Sequence, residues 1–167
     1  MKLLIFLCAS FFVTASCSQS SVKDANNTTI IDTTFSFYLT ESFHETSLDS
    51  HWYTSTYSIK NGVLSYDYVY GGFPAPEKKH KDTTLSEKDF ISIKEKLKEL
   101  KLFINYKKTF PVEKKGLIVE TCNSLQINDA DKIYKISISG GRPMDLVDEV
   151  GNRLSEFEYF VKQLLKL

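Results

Sequence analysis

Asn61-Gly62 constrains this chain more than any other pair of residues. It separates two β-rich runs, Trp52-Tyr53-Thr54-Ser55-Thr56-Tyr57-Ser58-Ile59-Lys60 and Val63-Leu64-Ser65-Tyr66-Asp67-Tyr68-Val69-Tyr70. A type I′ turn needs positive φ at both central residues, which Asn followed by Gly tolerates best, so the two runs are expected to close as a hairpin. A two-residue loop also sets the register. Ile59 then faces Leu64, Tyr57 faces Tyr66, Ser55 faces Tyr68 and Tyr53 faces Tyr70, all on one face. The other face pairs Ser58 with Ser65, Thr56 with Asp67 and Thr54 with Val69, and is polar or mixed.

The rest of the chain supplies elements for this hairpin to pack with. Ile31, Thr33, Phe35, Phe37 and Leu39 alternate with polar residues and predict a first half-buried strand. Ser42 to Ser50 reads as a polar loop. Gly71-Gly72-Phe73-Pro74-Ala75-Pro76 breaks the hairpin, and the charged run Glu77 to Asp82 is expected to continue as exposed loop. Ser86 is placed to cap a helix that carries acidic Glu87 and Asp89 in its first turn, an apolar stripe of Phe90, Ile93, Leu97 and Leu100, and an end near Leu102. A Lys-rich link containing Pro111 follows. Leu117, Val119, Thr121, Asn123, Leu125 and Ile127 then share one face of a long strand. Asn128 to Asp131 turns it, and Tyr134, Ile136 and Ile138 line the returning strand. Pro143 is suited to the first position of a final helix whose stripe runs through Val147, Val150, Leu154, Phe157, Val161 and Leu164. The expected fold is α+β: a single two-layer domain with a mostly antiparallel sheet of about five strands, in the order β-β-β-α-β-β-α, and two helices packed on one face.

Met1-Lys2, an apolar run from Leu3 to Val13 and small residues after it have the build of a secretory signal, too short for a membrane-spanning helix. Ala15-Ser16-Cys17 resembles the lipobox of bacterial lipoproteins. The resemblance covers residues 1–17 only and implies that Cys17 becomes a lipidated mature N-terminus carrying fatty acyl chains such as palmitate. It also implies a protein held on a membrane of the bacterial cell envelope; ordinary secretion with cleavage after Ala15 is the alternative. The division that follows is 1–16 signal peptide, 17–29 polar tether and 30–167 one α+β domain. With Cys17 lipidated and Cys8 removed with the signal, Cys122 stands alone and no intramolecular disulfide can form.

The formal net charge is zero, so no overall field draws the chain to nucleic acid. None of the common nucleophile, metalloprotease or phosphate-loop motifs is present. His44, Glu45, Asp49 and His51 cluster within one short stretch, but their spacing matches no metal motif, and His80 sits among lysines; no metal and no cofactor is expected. Cys122 needs a neighbouring base before it can act as a nucleophile. Gly140-Gly141-Arg142 before a helix N-terminus is a candidate anion site. Trp52, Tyr70 and Phe73 form the candidate ligand-binding patch, since flat rings with polar edges suit a peptide or sugar. The function expected is a lipid-anchored, non-catalytic binding or accessory module of the bacterial envelope, with the membrane and an envelope protein, peptide or glycan as partners. The alternatives are a motif-poor envelope hydrolase using the His44 to His51 stretch and a self-assembling structural lipoprotein.

Overall fold

The computed structural model describes residues 32, 34–46, 50–72, 75–112, 118–141 and 148–167. In chain order the elements are β1 (Phe35–Thr46), β2 (His51–Lys60), β3 (Val63–Gly71), β4 (Glu77–Thr84), α1 (Glu87–Glu99), β5 (Tyr106–Thr109), β6 (Ile118–Asp129), β7 (Lys132–Gly140) and α2 (Glu149–Leu165). The strands form one seven-stranded sheet in the order β4-β3-β2-β1-β6-β7-β5. Only β5 runs parallel to its neighbour, β7; every other pairing is antiparallel.

This corrects the expected five-stranded antiparallel sheet in three places. The charged run Glu77-Lys78-Lys79-His80-Lys81-Asp82 is not a loop but most of edge strand β4, paired along β3 from Val63↔Thr84 to Tyr70↔Glu77. An edge strand needs backbone pairing and no apolar face, and lysines on it discourage further strand addition. Tyr106 to Thr109, within the expected Lys-rich link, is the short parallel edge strand β5. The expected polar loop from Ser42 instead begins as strand, because β1 continues to Thr46 and pairs along its length with β6.

The hairpin has the register that Asn61-Gly62 imposes: Ile59↔Leu64, Tyr57↔Tyr66, Ser55↔Tyr68 and Tyr53↔Tyr70 are direct partners. Asn61 and Gly62 have φ of 51° and 75°, the conformation that selects these two residue types. Ser86 caps α1 by accepting the Asp89 N–H. Lys101, with φ of 51°, turns the chain after Leu100, and the Leu102 N–H reaches back to the Leu97 carbonyl. The described part of α2 begins at Glu149, capped by Asp148; Leu117, Pro143 and Val147 lie outside the described residues.

Both helices pack on the same sheet face. Phe35, Phe37 and Leu39 of β1, Tyr57 and Ile59 of β2, Leu64 of β3, Leu125 and Ile127 of β6, and Ile136 and Ile138 of β7 meet Phe90, Ile93 and Leu97 of α1 and Leu154, Phe157 and Val161 of α2 in one core. Edge-to-face ring pairs join the layers, Phe35 with Phe90 at 5.4 Å and Phe37 with Phe157 at 5.2 Å. Among the described residues no helix lies on the other face of the sheet, and none is long and apolar enough to cross a membrane.

Candidate functional site

The face without helices is organised around three central strands. On β1, Tyr38, Thr40 and Ser42 point to it. They lie directly between Ser58, Thr56 and Thr54 of β2 and Gln126, Ser124 and Cys122 of β6. Charge is absent from this block; Asp67, His80, Asp82 and Lys78 lie on the β3–β4 side, and Lys135 and Lys107 on the β7–β5 side. Two rings stand at its ends, Tyr38 at 52% and Trp52 at 42% exposure. The Trp52 indole lies over Gly71, its direct cross-strand partner, where any Cβ would collide with the ring.

Two depressions meet at the Trp52 end. One, of about 310 Å³, is lined by Trp52, Thr54, Ser42, His44, Phe43 and Tyr53. The other, of about 340 Å³, continues past Ser42 and His44 to Cys122, Glu120, Ser139 and Thr109. Ser42 and His44 line both, which makes a groove crossing β2, β1, β6 and β7. His44 sits directly opposite Glu120 and diagonal to Cys122.

The sequence candidates divide between the two faces. Trp52 is in the groove, whereas Tyr70 is on the helix-bearing face, directly opposite Tyr53; Phe73 lies outside the described residues. His44 and Glu45 are successive residues of a strand and point to opposite faces. Glu45 pairs with His51 Nε2 at 3.0 Å, away from His44, and Asp49 is outside the described residues. No group of three metal-binding side chains converges among the described residues. Gly140 and Gly141 are buried at the end of β7, and Gly140 borders the groove. Arg142 is outside the described residues. At the described start of α2 Asp148 accepts from Gly151 N–H at 2.7 Å, and residues 142–147, which join Gly141 to it, lie outside the described residues. Cys17 also lies outside the described residues.

On the helix-bearing face the structure assembles a cluster that the sequence reading missed. Along β1 the core residues Phe35, Phe37 and Leu39 are followed on the same face by Glu41 and Phe43. Cross-strand neighbours extend Glu41 into a row of Asn123, Glu41, Ser55, Tyr68 and Lys79, and extend Phe43 into a row of Thr121, Phe43, Tyr53 and Tyr70. Tyr53 Oη donates to Glu41 Oε1 at 3.2 Å. From α2, Glu158 accepts from Tyr57 Oη at 3.1 Å and from Lys162 Nζ at 2.8 Å. Burial, with the nearby Glu158 charge second, raises the Glu41 carboxyl above its ordinary range. Burial also pushes the Tyr53 and Tyr57 phenols well up, Glu41 and Glu158 adding to each. For Lys162 burial pulls the other way, but the Glu158 hydrogen bond and charge outweigh it and raise the ammonium. No local motif announces this cluster; the only sequence trace is the i,i+4 spacing of Glu158 and Lys162.

No protein-family model matches the chain, and comparison with curated proteins gives no match.

Proposed function

We propose that the protein is a lipid-anchored, non-catalytic binding module of a bacterial cell envelope that takes an uncharged glycan along the face without helices. The lipobox-like Ala15-Ser16-Cys17 supports the anchor and the location. The observation that carries the ligand class is the uncharged block between Tyr38 and Trp52, nine positions on three strands filled by hydroxyl, amide, thiol and phenol groups. Sugar hydroxyls exchange hydrogen bonds with such side chains without needing a counter-charge, and the apolar face of a pyranose stacks on an exposed indole. An ionic ligand would be held better by the charged margins. The test is a photo-crosslinking residue at Thr54 or Thr56 in cells, with intact mass of the protein purified from membranes. Acylated Cys17 and a carbohydrate adduct that disappears with Trp52→Ala are expected. An unmodified, soluble product removes the anchor, and a protein adduct at the same positions removes the glycan.

The hydrolase alternative is favoured by one observation, that His44 and Cys122 line the same depression with Glu120 opposite His44. An imidazole brought within hydrogen-bond reach of a thiol can act as its base. Iodoacetamide labelling of Cys122 that slows more than tenfold in His44→Ala would favour this alternative over the non-catalytic one.

A further inference from the structure

The Glu41 cluster contains more acid than base. From β1 and α2 it has the carboxyl groups of Glu41 and Glu158, and one ammonium, Lys162, whose Nζ is committed to Glu158. The other charged groups around it are already paired: Lys79 of β4 with Glu77 at 3.0 Å, and Glu45 of β1 with His51 of β2 at 3.0 Å. Tyr53, Tyr57, Tyr66 and Tyr68, from β2 and β3, supply no positive charge. Lys162 also acts on Glu41 through space, and Tyr53 donates to it, but burial and the Glu158 charge outweigh both, so two carboxyl groups share one ammonium that is hydrogen-bonded to Glu158. A partly buried carboxyl in that position holds either a proton or a positively charged ligand.

Hydrogen-bond satisfaction points the same way. Among the described residues three buried side-chain oxygens have no hydrogen-bond partner, Thr40 Oγ1 on the outward face and Asn123 Oδ1 and Thr121 Oγ1 on this one. Asn123 is the direct cross-strand partner of Glu41, and Thr121, only 2% exposed, is the direct partner of Phe43 on the same face. Buried side-chain oxygens are rarely left unpaired, because each has given up its hydration with nothing in return. Direct cross-strand neighbours bring their Cβ atoms to about 4.5–5.5 Å and diagonal ones to about 7–8 Å, so Asn123 stands beside Glu41 and Thr121 lies one diagonal step away on the same face. The Phe43 and Tyr53 rings lie beside them, stacked at 5.5 Å. Glu41, Phe43 and Tyr53 are half-buried rather than sealed, so the cluster reaches the surface.

We propose that Glu41, Asn123 and Thr121, beside the stacked Phe43 and Tyr53 rings, form a binding site for a primary ammonium group. An R–NH₃⁺ group has three N–H donors, and the site presents three acceptors: one carboxylate, one amide oxygen and one hydroxyl oxygen. Aromatic faces add attraction for the cation. Where Glu41 carries a proton, that proton leaves to solvent on binding, so that a carboxylate faces the ammonium. The ligand keeps all of its own protons. A side-chain amine or an alkyl diamine has this chemistry; a quaternary ammonium has the charge but no donor, and an alcohol has a donor but no charge.

Glu41 and Asn123 face away from Trp52, but Phe43 and Tyr53 also line the Trp52 depression, so Trp52→Ala is the variant that separates this test from the glycan reading. Titration of the full chain with n-butylammonium would be followed by calorimetry, in two buffers of different protonation enthalpy, from pH 4.5 to 8. Binding is expected to tighten about tenfold per pH unit while Glu41 is protonated and then to level off, with one proton released per ligand in the lower range. n-Butanol and tetramethylammonium should bind at least tenfold more weakly. Glu41→Gln should remove the pH dependence together with most of the affinity, Asn123→Ala should weaken binding, and Trp52→Ala should leave it unchanged. Retention of the wild-type far-ultraviolet circular dichroism and melting transition would show that the Gln and Ala variants fold. Absence of binding by butylammonium, equal binding by butanol, or equal binding by folded Glu41→Gln would overturn the proposal.

Discussion

Replacing Gly71 with alanine should unseat the molecule's single tryptophan. A Cβ built on Gly71 falls 2.6 Å from Trp52 Cζ2 and closer still to Nε1 and Cε2, whereas ordinary contact begins at 3.4 Å. Since Gly71 is not among the residues with positive φ, alanine fits its backbone, and the conflict lies wholly with the ring. The indole must lift off the sheet, losing a cross-strand aromatic contact of about 0.2–1 kcal/mol, with crowding at the lower end of the roughly 1–3 kcal/mol seen for overpacked sites. Removing a strand glycine returns part of this, since β-propensities span about 1 kcal/mol. The net expectation for Gly71→Ala is a loss of about 1 kcal/mol, or roughly 2–4 °C in thermal midpoint for a domain of this size. In a Trp52→Ala background the same change should be neutral or stabilising by up to about 1 kcal/mol, giving a coupling energy near 1–2 kcal/mol in a double-mutant cycle. The assay is urea unfolding of the four proteins together with Trp52 emission, which should move to longer wavelength in Gly71→Ala as the indole becomes more hydrated. Additivity within about 0.3 kcal/mol, with an unchanged emission maximum, would refute the stacking argument.

Three further outcomes follow from other parts of the molecule. Phe157 is fully buried against Phe37, so Phe157→Ala should cost about 3–5 kcal/mol in denaturant unfolding, while Tyr159→Ala, at an exposed position on the same helix, should stay within about 0.5 kcal/mol. Glu41 has a folded-state pKa raised by burial and by Glu158, so its favourable contribution is complete below its unfolded pKa and is lost as pH rises through the folded one. Glu41→Gln should therefore gain in melting temperature relative to wild type as pH rises from 4 to 8, and a constant difference would contradict it. His80 lies between Asp67 at 2.7 Å and Asp82 at 3.2 Å, hydrogen bonds that raise its pKa, Asp67 contributing most. Its contribution is present below the unfolded value and fades as pH climbs through the folded one, so His80→Ala should destabilise the β3–β4 pairing in acid and not at pH 9, read by amide exchange along β4.

How far the sequence disclosed this fold depends on what holds each element. The Asn61-Gly62 hairpin and the Ser86-capped helix are local: turn conformation fixes one and a side chain bonded three residues away fixes the other, so both were legible. Strand β4 was not, because its Lys79, His80 and Lys81 are placed by backbone pairing with β3 and carry no apolar alternation. Strand β5 is shorter still, and its pairing with β7 joins residues some thirty positions apart, such as Lys107 and Ser137. The far half of β1 failed for a different reason. Ser42-Phe43-His44-Glu45-Thr46 has the composition of a loop, and it remains in the sheet because β6 and β2 flank it on both sides.

That same half of β1 also explains why the functional surfaces were obscure while the core was not. A residue facing two packed helices is confined to a narrow range of apolar types, so Phe35, Phe37 and Leu39 announce their face by alternation alone. Beyond Leu39 the inward positions hold Glu41 and Phe43 and the outward ones Ser42 and His44. The meaning of each then depends on partners brought in by register: Asn123 and Thr121 from β6, Tyr53 from β2, and Glu158 from a helix 117 positions later in the chain. The central strand thus spends its first half on the core and its second half on two chemically different surfaces, one acidic and aromatic, the other rich in hydroxyl groups. A shift of one residue in the β1–β6 register would put Phe37 and Leu39 on the outward face and Tyr38 and Thr40 against the helices. The buried half of β1 is therefore what holds Glu41 beside Asn123 and Ser42 beside Cys122, and a substitution that loosens Phe37 or Leu39 should disturb both surfaces together, whereas Trp52→Ala and Glu41→Gln should each disturb one.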